Sequence, residues 1–179
     1  NLTVTNATSS YMLIRSEYIA VTPAVPEIAF QPGISNISIG STTNYLVTMD
    51  VAPYQLAGYN ITVMLSNASV GRIVGVSYPS WVSMSTNSTL GTDQAWFKAL
   101  DLTNTSGTRN ITLLNLTIQG DAIGTTDLTI LPDYVDDRAS GRYSVNTVPG
   151  QLTVSLMSGF PKPGGGHFPI PTDPDGDGK

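Results

Sequence analysis

The chain has 179 residues, of which 40% are hydrophobic and only 12% charged, and a net charge of −5. That length holds one domain with tails or two very small domains, and the apolar share suffices for a core. No basic stripe with interleaved aromatics exists, which excludes a nucleic-acid footprint, and no apolar run approaches the length of a membrane span.

Cysteine is absent. A domain of this size does not need disulfides, and their absence leans toward a prokaryotic source. With so few charges, the polar surface must come from Ser, Thr and Asn, residues that suit strands and turns.

Residues 1–33 read as an extended N-terminal segment. Tyr11-Met12-Leu13-Ile14 and Tyr18-Ile19-Ala20-Val21 are apolar at consecutive positions, as in a strand covered on both faces. Tyr11, Leu13, Ile14, Tyr18, Ile19 and Val21 are therefore candidate partner-binding residues, since such a strand can add to the sheet edge of a neighbouring copy. Pro23, Pro26 and Pro32 then break the chain before the main domain.

Residues 34–157 show short alternating runs separated by turn signals, and almost no helical periodicity. The class is all-β, a sandwich or barrel. In 43–51, Tyr45, Val47, Met49 and Val51 share one face. In 57–66, Tyr59, Ile61, Val63 and Leu65 point inward, leaving Asn60 and Thr62 outside. Strands are expected at 70–78, ended by Pro79, and at 94–102. Along 109–118, Ile111 and Leu113 alternate in one phase, and Leu114, Leu116 and Ile118 in the other. That switch predicts a β-bulge at Leu113-Leu114 and keeps Asn110 and Asn115 outside. Further strands are expected at 125–131, 142–148 and 151–156, the last with Leu152, Val154 and Leu156 inward. Residues 158–179 form a Pro/Gly/Asp-rich tail.

Nine of the eleven Asn residues begin an Asn-X-Ser/Thr sequon: Asn1, Asn6, Asn36, Asn60, Asn67, Asn87, Asn104, Asn110 and Asn115. At this Ser and Thr content chance places about three. The set marks candidate sites for N-linked glycans, which require export, and so an extracellular, cell-surface location. The last sequon is at Asn115, which leaves the strands from 125 to 156 bare for a contact.

Few residues can carry chemistry. His167, the only histidine, sits beside Gly164-Gly165-Gly166, a poor scaffold for a catalytic group. Asp133, Asp136 and Asp137 cluster in an expected loop, with Asp121 and Asp127 near in sequence. Acidic turn residues, a calcium site or structural hydrogen bonding explain them better than a paired-carboxylate active site. Asp173, Asp175 and Asp177 occupy positions 1, 3 and 5 of an EF-hand-like loop with Gly178 at position 6, so Ca2+ is the candidate metal. Trp81 and Trp96 are core aromatics by default and a sugar-stacking platform as the rival reading.

The order of features over 34–156 resembles the cohesin-like domains of secreted and surface proteins, related in fold to some carbohydrate-binding modules. The resemblance rests on Ile37-Ser38-Ile39-Gly40 before Tyr45–Val51, and on Leu56-Ala57-Gly58-Tyr59 before Ile61–Leu65. It continues through Ile111–Ile118 and Gly124–Ile130, and ends with Val148-Pro149-Gly150-Gln151-Leu152-Thr153-Val154. It implies a jelly-roll β-sandwich of about nine strands that binds proteins or builds scaffolds without catalysis. The Asp173–Gly178 piece is similar to the start of a dockerin-type calcium loop, and the combination looks typical of archaeal surface proteins. Two features depart from the pattern. Leu65-Ser66-Asn67-Ala68 stands where the family has Tyr-Asp-Pro, and residues 1–33 have no counterpart.

The sequence therefore predicts a non-catalytic extracellular protein. The first expectation is a glycosylated subunit of a surface filament or layer, joined to other copies of itself by strand donation. The alternative is a cohesin-type module that binds a surface protein or a glycan.

Overall fold

The computed structural model describes the backbone of Leu2–Asn6 and Ser9–Leu13 and the whole of residues 25–156. Two strands, β1 (Leu2–Asn6) and β2 (Ser9–Leu13), pair antiparallel as a two-stranded sheet of their own. Eleven more follow: β3 (Glu27–Gln31), β4 (Ile34–Ser38), β5 (Thr42–Val51), β6 (Leu56–Leu65), β7 (Gly71–Ser77) and β8 (Met84–Asn87), then β9 (Gln94–Leu100), β10 (Arg109–Gly120), β11 (Gly124–Asp137), β12 (Asn146–Val148) and β13 (Gly150–Ser155). Among the described residues there is no helix, and so none that is long and apolar enough to cross a membrane.

These eleven strands make a two-sheet sandwich. One sheet has the order β12-β3-β5-β10-β7 and the other β4-β13-β11-β6-β9-β8. The pleat decides what lies between them. Tyr45, Val47 and Met49 of β5 are fully buried, as are Tyr59, Ile61 and Val63 of β6. The alternation read from the sequence is therefore the core pattern, because successive side chains on a strand must face opposite ways. Leu113 and Leu114 are both fully buried, and the β5–β10 register shifts between Thr112 and Leu114. This is the bulge the phase switch predicts: the extra residue lets two consecutive leucines reach the core.

The sequence reading needs correction in four places. β3 belongs to the sandwich, with Ile28 and Phe30 in its core, so the domain starts before residue 34. The chain bends at Pro32-Gly33 and changes sheet there, as β3 lies in one sheet and β4 in the other. Second, Asp133, Asp136 and Asp137 are not in a loop but in the second half of the 14-residue β11. Pro132, opposite Ile61, sits where the β11–β6 register shifts and beyond the stretch of β11 that pairs with β13, the kind of bulged, one-sided position that accepts a proline. Third, of the expected 142–148 strand only Asn146–Val148 forms a strand, while Arg142 makes an isolated bridge to Asp136. Fourth, Leu156 is 69% exposed, because β13 ends at Ser155.

The beginning and end of the domain are fastened together. β3 pairs in parallel with β12, and β4 in parallel with β13. Gly120 fits between these layers, since a Cβ there would lie 2.8 Å from a Val154 methyl and 3.0 Å from that of Ile37.

Two polar anchors are buried in the sandwich. The Tyr59 hydroxyl donates to the Leu113 carbonyl at 2.7 Å and so ties the sheets across the core. Burial, followed by the nearby Tyr78, pushes the Tyr59 pKa well above the usual tyrosine range. Asp101, at the end of β9, has a fully buried carboxylate. It accepts the backbone N–H groups of Thr103, Asn104, Thr105 and Ser106 at 2.8–2.9 Å. Arg138 lies 3.2 Å from the same carboxylate and also donates to the Asp101 carbonyl. Burial alone would raise the Asp101 pKa, but these donors outweigh it and lower the value to about 2.

Two outcomes are expected. Tyr59→Phe leaves the Leu113 carbonyl without its donor and should cost about 1–2 kcal/mol, read from the urea midpoint at unchanged slope. Asp101 has a folded-state pKa below its unfolded one, so its contribution is complete above about pH 4 and is lost as pH falls through about 2. Asp101→Asn should remove about 2 kcal/mol at pH 7 and flatten that part of the stability–pH curve.

Candidate functional site

The outer face of the six-stranded sheet carries the most distinctive surface. β6 presents Asn60, Thr62 and Met64 outward between their buried neighbours. On one side, β9 sets Lys98 opposite Asn60, Trp96 opposite Thr62 and Leu100 opposite Gly58. On the other, β11 sets Leu131 opposite Thr62 and Tyr134 opposite Asn60. Trp96 is 38% exposed and Leu131 48% exposed. With Asn60, Thr62, Lys98, Pro132 and Asp133 they line an open hollow of about 430 Å³.

Charge and hydrogen bonding organise this hollow. Asn60 Nδ2 donates to Asp133 Oδ2 at 2.8 Å, and the Lys98 ammonium stands 5.1 Å from the centre of the Trp96 ring. Asn60 Oδ1 is buried and has no hydrogen-bond partner among the described residues. Beyond Lys98 the same face becomes more apolar. Met84, Leu100 and Tyr134 border a second hollow of about 240 Å³, and Met84 is 60% exposed. Gly58 makes room for this arrangement: a Cβ there would lie 2.6 Å from Leu100 Cδ2 and 2.7 Å from the Ala99 carbonyl. Arg142, held by Asp136 at 3.0 Å, stacks 5.0 Å above the Tyr134 ring at the border.

The outer face of the five-stranded sheet differs. It exposes Leu46 and Val148 singly among polar residues, and its groove is lined largely by Glu27, Gln31, Thr48, Asp50, Asn110 and Thr112.

The sequence-predicted residues fall in different places. Trp81 and Trp96 do not form one platform. Trp81 is buried, packs edge-on to Tyr59 at 6.3 Å and donates from Nε1 to the Thr112 carbonyl at 2.9 Å. The acidic residues are each engaged structurally: Asp133 with Asn60, Asp136 with Arg142, Asp137 with the Gly141 N–H, Asp127 with Gln151 and Asp121 with Arg72. Among the described residues no group of three or more His, Cys, Asp or Glu could hold a metal. Asp173, Asp175, Asp177 and His167 lie outside the described residues, as do Ile14, Tyr18, Ile19, Val21 and Asn1. Tyr11 and Leu13 are on β2, paired with Val4 and Leu2 of the same chain.

The sequons also spread. Asn6 ends β1. Asn36, Asn67, Asn104 and Asn110 are exposed, while Asn60, Asn87 and Asn115 are half-buried. Asn60 lies on one outer face and Asn115 on the other, so neither face is free of sequons. Sequence reasoning missed the Asp101 anchor, although Asp101 followed by Thr103, Thr105 and Ser106 is a pattern that favours side-chain-to-backbone turns. It also missed Met84 and Leu100, because nothing local places them beside Tyr134.

No known family model and no curated protein matches the chain. Solved structures do. The seventh ScaB type I cohesin from Pseudobacteroides cellulosolvens superposes with a TM-score of 0.61 at 12% identity, covering 76% of this chain and 96% of that one. A non-cellulosomal cohesin from the hyperthermophilic archaeon Archaeoglobus fulgidus gives 0.59 at 16%, covering 75% and 94%. The chain from the OlpC cohesin–dockerin complex of Clostridium thermocellum gives 0.62 at 9%, covering 74% and 95%. The sandwich has the cohesin fold. The cohesin-like architecture expected from the sequence is thus present, with eleven strands where about nine were expected.

Trp96 and Leu131 are solvent-facing, so truncating them should cost little folding energy. Trp96→Ala and Leu131→Asp are each expected to cost about 1 kcal/mol in urea titration, well below the roughly 3–5 kcal/mol of a core truncation. A much larger loss would place these side chains in the core.

Proposed function

We propose that this chain is a non-catalytic extracellular binding module whose contact surface is the outer face of the six-stranded sheet. The observation that carries this reading is the gathering of Met84, Trp96, Leu100, Leu131 and Tyr134 on that one face, while the opposite face is polar. Contiguous exposed apolar and aromatic side chains rimmed by polar groups are the composition of a protein-binding surface. Asn60, Lys98 and Asp133 supply polar groups at its centre, which fix orientation more than they add affinity. The cohesin fold supports a protein partner, since several of the similar cohesins were solved in complex with dockerins. The density of sequons supports export and display at a cell surface, with N-linked glycans.

A second reading is a subunit of a surface filament or layer. It is favoured by β4, an edge strand that pairs with β13 along one side and ends its sheet on the other. Such an edge can accept a strand from another copy, with Tyr11, Leu13, Ile14, Tyr18, Ile19 and Val21 as the donor segment. Calcium bound through Asp173, Asp175 and Asp177 would then belong to the joint between copies or to a dockerin-like tail.

Calorimetric titration with a panel of calcium-loaded dockerin modules separates the readings. Binding is expected, and Leu131→Asp and Leu100→Asp should each weaken it about tenfold or more, as for central interface residues. If no dockerin binds and the native protein sediments as a polymer, the filament reading replaces the binding module.

A further inference from the structure

The fold treats the sequons unequally. We propose that the folded domain presents Asn67 for saccharide transfer and closes Asn60, Asn104 and Asn115; this rests on the reading of the chain as a glycoprotein. N-glycosylation joins Asn Nδ2 to C1 of a saccharide carried on a polyprenyl diphosphate. The C1–O bond to the carrier breaks, the polyprenyl diphosphate leaves with the bonding pair, and Nδ2 passes one proton to a carboxylate base of the transferase. The transferase must reach both the amide and the hydroxyl two residues on, which a surface loop permits.

Asn67 meets that requirement. It lies in the turn between β6 and β7, and both Asn67 and Ser69 are exposed. Its Oδ1 accepts the Ser69 backbone N–H at 3.1 Å and the Ser69 hydroxyl at 2.7 Å. The amide and the hydroxyl of this sequon are therefore already side by side, and the two donors polarise the amide.

The other three are closed in different ways. Asn60 is on a central strand, paired through Tyr134 on one side and Lys98 on the other. Lifting it out would break both ladders as well as the bond from Nδ2 to Asp133. Asn115 is likewise central, between Leu46 of β5 and Ser77 of β7, with its Oδ1 buried. Asn104 is exposed, but the hydroxyl of its sequon is not. Ser106 is buried, and its Oγ donates to the Leu56 carbonyl and accepts the Leu56 N–H, each at 3.2 Å. The Asp101 carboxylate holds the backbone N–H groups of Asn104, Thr105 and Ser106.

A glycan on Asn67 stands at the β6–β7 turn joining the two sheets, off the strands that carry Trp96 and Leu131. The fold thereby keeps sugar off the centre of the docking surface even though a sequon lies there.

The test compares the folded full chain with synthetic peptides carrying the same four sequons. Both are treated with a purified oligosaccharyltransferase and a polyprenyl-diphosphate-linked saccharide, and occupancy is read by glycopeptide mass spectrometry. In the folded chain Asn67 is expected to exceed each of the other three by about tenfold, after normalising to the peptides. Comparable occupancy at Asn60, Asn104 or Asn115 overturns the proposal. Asp101→Ala, which loosens the 101–106 loop without creating a sequon, should raise Asn104 about threefold while Asn60 stays low. An unchanged Asn104 overturns its part of the proposal, and a parallel rise at Asn60 reports global unfolding and overturns the claim of local closure. The intact mass of the native protein tests the underlying reading separately: a mass without glycan removes the glycoprotein assignment whatever the transfer assay shows.

Discussion

The structure depends on two central strands, β6 and β10, whose pleats bury one side of each against the other. Tyr59, Ile61 and Val63 face Ile111, Leu113, Leu114 and Leu116 across the core, all of them 0–2% exposed. A β-sandwich has no other large source of stability than this interlayer burial, worth about 25 cal/mol per Å² of apolar surface. The Tyr59 hydroxyl adds a directional tie to the Leu113 carbonyl beside the bulge. Once these two strands are placed, the side chains between the buried ones must face solvent, and the outer faces of both sheets are defined.

The proposed docking surface follows from that placement. Asn60 and Thr62 reach the outer face because Tyr59, Ile61 and Val63 cannot. Trp96 and Lys98 reach it because Ala95, Phe97 and Ala99 of β9 fill the core. The surface is thus the obligatory reverse of the core, and its composition is the informative part. On one sheet the reverse is Trp96, Leu100, Leu131, Tyr134 and the neighbouring Met84. On the other it is mostly Thr, Asn, Gln and charged residues. Core packing would have tolerated polar residues on both. The same two strands carry Asn60 and Asn115, so the strands that build the core also hold their sequons in two-sided ladders.

Ends and corners are held by polar groups instead of apolar burial. The Asp101 carboxylate gathers four backbone N–H groups and Arg138, fixing the β9–β10 connection to the end of β11. A buried carboxylate is tolerated only when donors surround it, and here the loop itself supplies them. The parallel pairs β3–β12 and β4–β13 fasten the first strands of the domain to the last, across more than a hundred residues of chain. Cysteine-free, the domain closes itself with strand pairing where many secreted domains use disulfides.

Local order was legible from the sequence wherever one face of a strand is buried. Alternation placed Tyr45, Val47, Met49, Tyr59, Ile61, Val63, Leu152 and Val154 inward, and the phase switch at Leu113-Leu114 located the bulge, because the period of two is a property of the strand itself. Short or edge strands such as β4 and β8 were not legible, since with little buried they carry almost no alternation. Nor was β11 beyond Pro132, where a proline and three aspartates imitate a turn. Tertiary structure alone decided which strands became central, because β6 finds its neighbours at β9 and β11 through long-range pairing. That choice put Asp133 on Asn60, 73 residues away, separated Trp81 from Trp96, and brought Met84 and Leu100 beside Tyr134. Side-chain direction is written into each strand, but the partner that meets a side chain is set by how the strands are ordered in the sheet.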